Sequence, residues 1–214
     1  MANSARILEL DFGMGNIRSL EKALQHLGAN VEVSSDPQKI SSADAIVLPG
    51  DGAFGAAMQQ IKQRGMLEPL QKFHRLGKPI LGICIGFQIL FEESTEYGTH
   101  NGLNWLPGSI EKFPDEWKSE RVTVPHMGWE TVEPVTGSKL FAGLPQNPWF
   151  YFVHSYRRTY TDDCEDFAAA ICDYAGDFVA AIEHDNLWGV QFHPEKSHAT
   201  GLKLLQNFID FIQK

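Results

Sequence analysis

The sequence predicts an α/β protein: an open, mostly parallel central sheet with flanking helices, plus an antiparallel or mixed section in the second half. Three observations carry that expectation. Short apolar runs alternate with helical periodicity through the first ninety or so residues, the order that builds parallel sheets through right-handed crossovers. Several of these runs stop at glycine-bearing turns, at Gly13 and Gly15, at Gly50 and Gly52, and around Cys84 in Gly82-x-Cys84-x-Gly86. From Gly102 onward the pattern changes to short alternating runs rich in aromatic residues.

Taken in order, Arg6 to Phe12 reads as a first strand, with Ile7, Leu8 and Leu10 apolar enough for a buried position. A helix follows with Ile17, Leu20, Leu24 and Leu27 on one face, closed by Gly28. Val31–Val33 is a second strand and Asp44–Pro49 a third. Helices over about Phe54 to Arg64 and ending near Leu76 lead to a strand before Cys84, and a further helix is expected after it. In the second half Pro148–Val153, Phe167–Ile171, Phe178–Ile182 and Leu187–Phe192 read as strands. A final helix over about Ala199 to Ile212 offers Leu202, Leu205, Phe208, Ile209 and Ile212 for burial. No boundary divides the chain, so residues 1–214 are expected to form one domain.

Composition narrows the function. The chain has 18 Lys+Arg against 27 Asp+Glu, a net charge of −9 without a basic run, which argues against nucleic acid as a partner. Cys84, Cys164 and Cys172 form no CxxC pair, so neither a disulfide framework nor a structural zinc site is expected. The histidines show no metal-ligand spacing, and no metal or cofactor is expected. Gly13-x-Gly15 lacks the third glycine of a dinucleotide fingerprint. Without an apolar leader or a membrane-spanning run, a cytoplasmic protein is expected.

The chemistry concentrates at three strand ends. Gly82-x-Cys84-x-Gly86 between two apolar runs has the layout of a nucleophile on a tight strand-to-helix turn, where helix N–H groups favour a thiolate. By itself Cys84 reads equally well as an ordinary buried cysteine. His193 and Glu195 lie two apart after the last strand, so in extended chain both project to one side. There the carboxylate can orient the imidazole as a base for a nucleophile. Gly50-Asp51-Gly52 follows another strand, and its backbone N–H groups could stabilise a developing oxyanion. Loops at the carboxyl ends of a parallel sheet meet at one crevice, which would gather all three. His154, in Val153–Tyr156, either lines that pocket or belongs to an edge strand.

Gly82-Ile-Cys84-Ile-Gly86-Phe-Gln88, Pro49-Gly-x-Gly52 and Phe192-His193-Pro-Glu195 together resemble the class I (triad) glutamine amidotransferases. Asp11–Ser19, Pro49–Gly55, Leu90–Glu93, Pro125–Trp129, Phe152–Tyr156 and Gln191–Ser197 narrow the likeness to the branch of glutaminase subunits that serve imidazole glycerol phosphate synthase. The resemblance covers nearly the whole chain. It implies glutamine hydrolysis to glutamate and ammonia by Cys84, His193 and Glu195, with an oxyanion hole at Gly50, Asp51 and Gly52 that needs a peptide flip. It implies that Gln88, Glu92, His154, Ser155 and Tyr156 hold L-glutamine. Pro125, His126, Met127, Gly128 and Trp129 would face a (β/α)8-barrel cyclase subunit, the partner in a heterodimer, near the mouth of an ammonia channel. That cyclase would make imidazole glycerol phosphate and AICAR for histidine biosynthesis. A synthase of anthranilate or aminodeoxychorismate is the alternative acceptor, and a non-catalytic docking subunit the alternative class. Ile85, Phe87, Asp51 and Glu130 depart from the family pattern. An acidic side chain aimed at an oxyanion would oppose it, so Asp51 is expected to face solvent.

Overall fold

The computed structural model describes residues 5–213. Residues 1–4, part of the stretch expected to carry no leader, and residue 214, the far end of the expected domain, lie outside the described residues. Eight strands form the main sheet in the order Glu133–Pro134, Ala168–Asp173, Asp177–His184, Leu187–Val190, Ile80–Ile83, Ala45–Leu48, Arg6–Leu10, Asn30–Ser34. The last five pair in parallel and the first three are joined antiparallel, which matches the expected division of the sheet.

The three central parallel strands, Leu187–Val190, Ile80–Ile83 and Ala45–Leu48, are buried on both faces, as their continuous apolar runs require, while the edge strand Asn30–Ser34 is half-buried. Strand alternation sends Leu8, Leu10, Ile46, Leu48 and Ile80 to one side, against Phe54, Met58, Ile61, Leu70 and Phe73 of the helices Phe54–Gln63 and Leu67–Arg75. Ile7, Val47, Leu81 and Ile83 face the other side, against Leu20 and Leu24 of helix Ile17–His26 and Leu204, Leu205 and Phe208 of helix His198–Ile212. Each such fully buried side chain contributes about 1.5–3 kcal/mol relative to exposure, and together they fix the strand ends that carry the chemistry.

One expectation fails. The helix after Cys84 is a single turn, Ile85–Gln88, and Phe91–Ser94 is a strand. The following loop takes the carbonyls: Leu103, Trp105 and Asn104 donate their N–H groups to the oxygens of Ile89, Leu90 and Phe91 at 2.8, 2.9 and 3.2 Å. An incoming segment has replaced the i+4 donors that a longer helix would need. Phe91–Ser94 then joins a second, four-stranded sheet with His100–Asn101, Leu106–Lys112 and Tyr156–Arg157. That sheet and the hairpin of His126–Thr131 with Trp149–His154 wall the carboxyl end of the main sheet.

Candidate active site

Cys84 occupies the bend between the strand Ile80–Ile83 and the turn Ile85–Gln88, with φ 53° and ψ −108°. A non-glycine residue there costs on the order of 1–3 kcal/mol, and the surroundings hold it. Its N–H donates to the Val190 carbonyl at 2.8 Å, while its own carbonyl accepts from Phe87 and Gln88 at 3.1 and 3.0 Å. The bend closes against the neighbouring strand because residue 86 is glycine: a Cβ there would lie 1.8 Å from the Leu48 carbonyl oxygen. A single turn carries little of a full helix dipole. What distinguishes Cys84 from the other two cysteines is its neighbour.

That neighbour is His193, only 2% exposed. The strands ending at Leu48, Ile83 and Val190 are adjacent in the sheet, so Gly50–Gly52, Cys84 and His193 leave it side by side. His193 Nδ1 lies 2.8 Å from Glu195 Oε1, both side chains buried, and this contact makes Nδ1 the proton donor of the pair. Burial works against a charged imidazole, but the Cys84 thiol and the Glu195 carboxylate more than offset it, and the pKa is pushed up to about 10. Both neighbours favour the imidazolium, while Nε2 itself is buried and has no hydrogen-bond partner among the described residues.

A cavity of about 410 Å³ opens in front of the sulfur, lined by Asp51, Gly52, Cys84, Gln88, Pro125, His154, Ser155 and Tyr156 among others. Of the residues expected to hold glutamine, Gln88, His154, Ser155 and Tyr156 line this cavity. Gln88 is fixed by donating from Nε2 to Gln191 Oε1 at 2.9 Å and to the Tyr156 carbonyl at 3.0 Å. Its buried Oε1 has no partner among the described residues. His154 donates from Nδ1 to the Tyr156 carbonyl at 2.9 Å, which leaves Nε2 as an acceptor 3.3 Å from His126 Nδ1. Burial keeps both rings neutral, lowering His154 to about 3 and His126 to about 4. A larger open hollow of about 660 Å³ borders the cavity across Glu96, but no cysteine lines it among the described residues.

Three expectations are corrected. Glu92 does not reach the cavity; it is exposed on its strand, and its carboxylate accepts from Gly108 N at 2.8 Å. The glutamate that lines the cavity is Glu96, whose Oε2 accepts from Phe54 N at 2.6 Å. It lies two residues beyond the strand, where no periodicity could single it out. Gln191, whose Nε2 lies 3.8 Å from the Cys84 sulfur, is a second site residue that the motifs leave without a role, although it shares the strand-end parity of His193.

Asp51 does not simply face solvent. Its side chain is 45% exposed, yet Oδ1 sits 3.9 Å from His193 Nε2, because Gly52 at φ +95° turns the loop back over the cavity. His126 is not on the docking face either. In the hairpin, cross-strand partners share a face, so His126 goes inward with His154 and stacks on Tyr174 at 3.9 Å. Met127 and Trp129 point outward, 61% and 41% exposed.

Fold, strained cysteine bend and imidazole–carboxylate pair define a class of enzyme that attacks an amide with a thiol. The family model described as "Glutamine amidotransferase class-I" matches residues 8–211, and the chain belongs to that family. Within it, the chain is 44% identical over 199 residues to "Imidazole glycerol phosphate synthase subunit HisH" of Desulfitobacterium hafniense (strain DSM 10664 / DCB-2), covering 93% of this chain and 91% of that one. It is 43% identical over 208 residues to the same subunit of Methanosarcina barkeri, covering 96% and 98%. The chain thus falls among the HisH subunits. Solved structures share the fold: PurLQS from Thermotoga maritima at TM-score 0.73 and 17% identity, covering 98% of this chain and 99% of that one. A glutamine amidotransferase, also from Thermotoga maritima, matches at TM-score 0.66 and 13% identity, covering 99% of each chain.

Proposed function

We propose that this chain is the glutaminase subunit of imidazole glycerol phosphate synthase, hydrolysing L-glutamine and passing ammonia to a (β/α)8-barrel cyclase subunit in a cytoplasmic heterodimer. The observation that carries the reading is the buried His193 ring, with Nδ1 2.8 Å from Glu195 Oε1, on the strand end next to the one that bears Cys84. Cys84 Sγ attacks the side-chain carbonyl carbon of glutamine, and the carbonyl electron pair moves onto oxygen. Backbone N–H groups of Gly50, Asp51 and Gly52 receive that oxyanion. His193 Nε2–H protonates the leaving nitrogen, releasing ammonia and a glutamyl thioester. His193 then takes a proton from water, which attacks the thioester and frees glutamate, one proton to solvent and the Cys84 thiolate. Glu195 holds the ring throughout.

Gln88, which lines the cavity and whose buried Oε1 has no partner among the described residues, accepts from the substrate, and His154, Ser155 and Tyr156 form the wall beside it. Glu96 supplies the negative charge for the substrate's α-ammonium group. Glu96→Gln keeps an acceptor for Phe54 N and removes only the charge. It is expected to raise KM for glutamine about tenfold or more with a smaller effect on kcat, since a hydrogen bond to a charged group is worth about 1.5–3 kcal/mol. Steady-state glutaminase assays on the assembled synthase check this.

Docking of the cyclase falls on Met127, Trp129 and Trp149, which are exposed on one face of the hairpin, with Pro125 at the cavity rim. Such apolar and aromatic side chains suit an interface centre. Without the cyclase, slow turnover is expected, because the Asp51 carboxylate stands beside the imidazole where negative charge must develop. A half-exposed charge at this range is worth about 1 kcal/mol. Asp51→Asn should therefore raise glutamine turnover of the isolated glutaminase by about fivefold. Unchanged or lower turnover would remove Asp51 from that role. The proposal as a whole is tested by assembling the chain with its cyclase: glutamine must support imidazole glycerol phosphate formation, and a complex in which the cyclase stays dependent on free ammonia contradicts it.

A further inference from the structure

Glu9 is the odd residue of the core. It lies mid-strand in Arg6–Leu10, fully buried, and neither carboxyl oxygen has a partner among the described residues. Its strand parity places it with Ile7 on the side packed by helices Ile17–His26 and His198–Ile212. The turn that carries Glu195 packs against the first of those helices. Glu195 Oε1 is engaged by His193, but its Oε2 is likewise buried and without a partner among the described residues. The charged groups acting on Glu9 are Glu21 of the helix, Glu195 of the turn and Asp11 beyond the strand end, and all three are acidic. Two buried carboxyl groups within each other's field cannot both be charged at low cost. Glu195 has a cation beside it and Glu9 has none, so the charge stays on Glu195.

We propose that Glu9 is a positioning residue for the triad: a core carboxylic acid that keeps its proton while Glu195 keeps the negative charge facing His193. The proposal rests on the triad reading above. Ionising Glu9 would add a second buried anion behind Glu195, bind the imidazolium more tightly and withdraw His193 from its role as base toward water. Burial, followed by repulsion from Glu21, Glu195 and Asp11, raises the Glu9 pKa to about 8, so the switch falls within reach of an ordinary pH series. Because the folded value lies above the unfolded one, the associated stability is complete in acid and is lost as pH rises through about 8.

The test compares wild type with Glu9→Gln, which mimics the neutral acid, and with Glu9→Leu, which removes the titration by another route. In wild type, kcat of the assembled synthase should fall about tenfold per pH unit above the transition, and both variants should lack that descent. Infrared titration of the intact protein should show a protonated-carboxyl band that disappears near pH 8 in wild type and is absent from both variants. Melting temperature should drop between about pH 5 and pH 8 more steeply in wild type than in the variants. Alkaline profiles that coincide in all three proteins, or no protonated-carboxyl band in neutral wild type, overturn the proposal. The infrared and melting readouts need no turnover, so they remain decisive if the triad reading itself fails.

Discussion

Cys84→Ala abolishes glutamine-dependent synthesis while the same complex, supplied with ammonium salt, still feeds the cyclase. The expected loss of glutamine hydrolysis is at least about a thousandfold, because no other side chain replaces the thioester-forming sulfur. Cys164 and Cys172 cannot substitute. Both are buried, and burial pushes each thiol pKa up, above the ordinary thiol range. Among the described residues Cys84 is the cysteine with the His193 ring beside it. The substitution removes a small side chain without disturbing the backbone contacts to Val190, Phe87 and Gln88, so the fold and the docking surface persist. Glutamine assays and ammonia assays on one preparation separate lost chemistry from lost assembly.

Gly86→Ala produces the second large effect, through packing. The new methyl would sit 1.8 Å from the Leu48 carbonyl oxygen and 2.6 Å from its carbon, and both belong to backbone inside the sheet. Neither can rotate away as a side chain would. Overpacking of this kind costs about 3 kcal/mol or more, which for a chain of this size lowers the melting temperature by about 6–12 °C. Any molecules that fold do so with the bend pushed off the strand. Displacing a nucleophile by about 1 Å costs on the order of a hundredfold in rate. Thermal melts and glutaminase assays together check it; a variant with wild-type melting and turnover would mean that the bend is not locked against Leu48.

The parts legible in the sequence were those where backbone geometry restricts residue choice. The elbow is one, since the closeness of residue 86 to Leu48 admits only glycine. The His193–Glu195 pair was legible only as a spacing: His193 is extended, but Glu195 lies in the 3-10 turn Pro194–Lys196 that Pro194 starts, and that turn, rather than extended chain, brings the carboxylate to Nδ1. The centre of the parallel half of the sheet followed from the unbroken apolar runs of Ala45–Leu48 and Ile80–Ile83. What stayed hidden depended on partners distant in the chain. The helix expected after Cys84 stops because residues 103–105 capture its carbonyls, a competition invisible from the apolar pattern of residues 85–91. Glu96 rather than Glu92 enters the cavity because the strand ends at Ser94 and the chain then turns toward Phe54. His126 turns inward because its antiparallel partner His154 sets the parity of the hairpin. Glu9, between Leu8 and Leu10, has the pattern of an outward polar residue on an alternating strand; the helices on that face bury it.

The account stands on Cys84 as the atom that bonds to substrate. The most direct measurement treats the assembled synthase with a glutamine analogue carrying a diazoketone in place of the side-chain amide, then maps the peptides by mass spectrometry. The account predicts one covalent adduct, on Cys84, growing in step with loss of glutamine hydrolysis while ammonia-dependent synthesis continues. Inactivation with the adduct on Cys164 or Cys172, or full glutamine turnover by protein whose Cys84 is stoichiometrically modified, would contradict it.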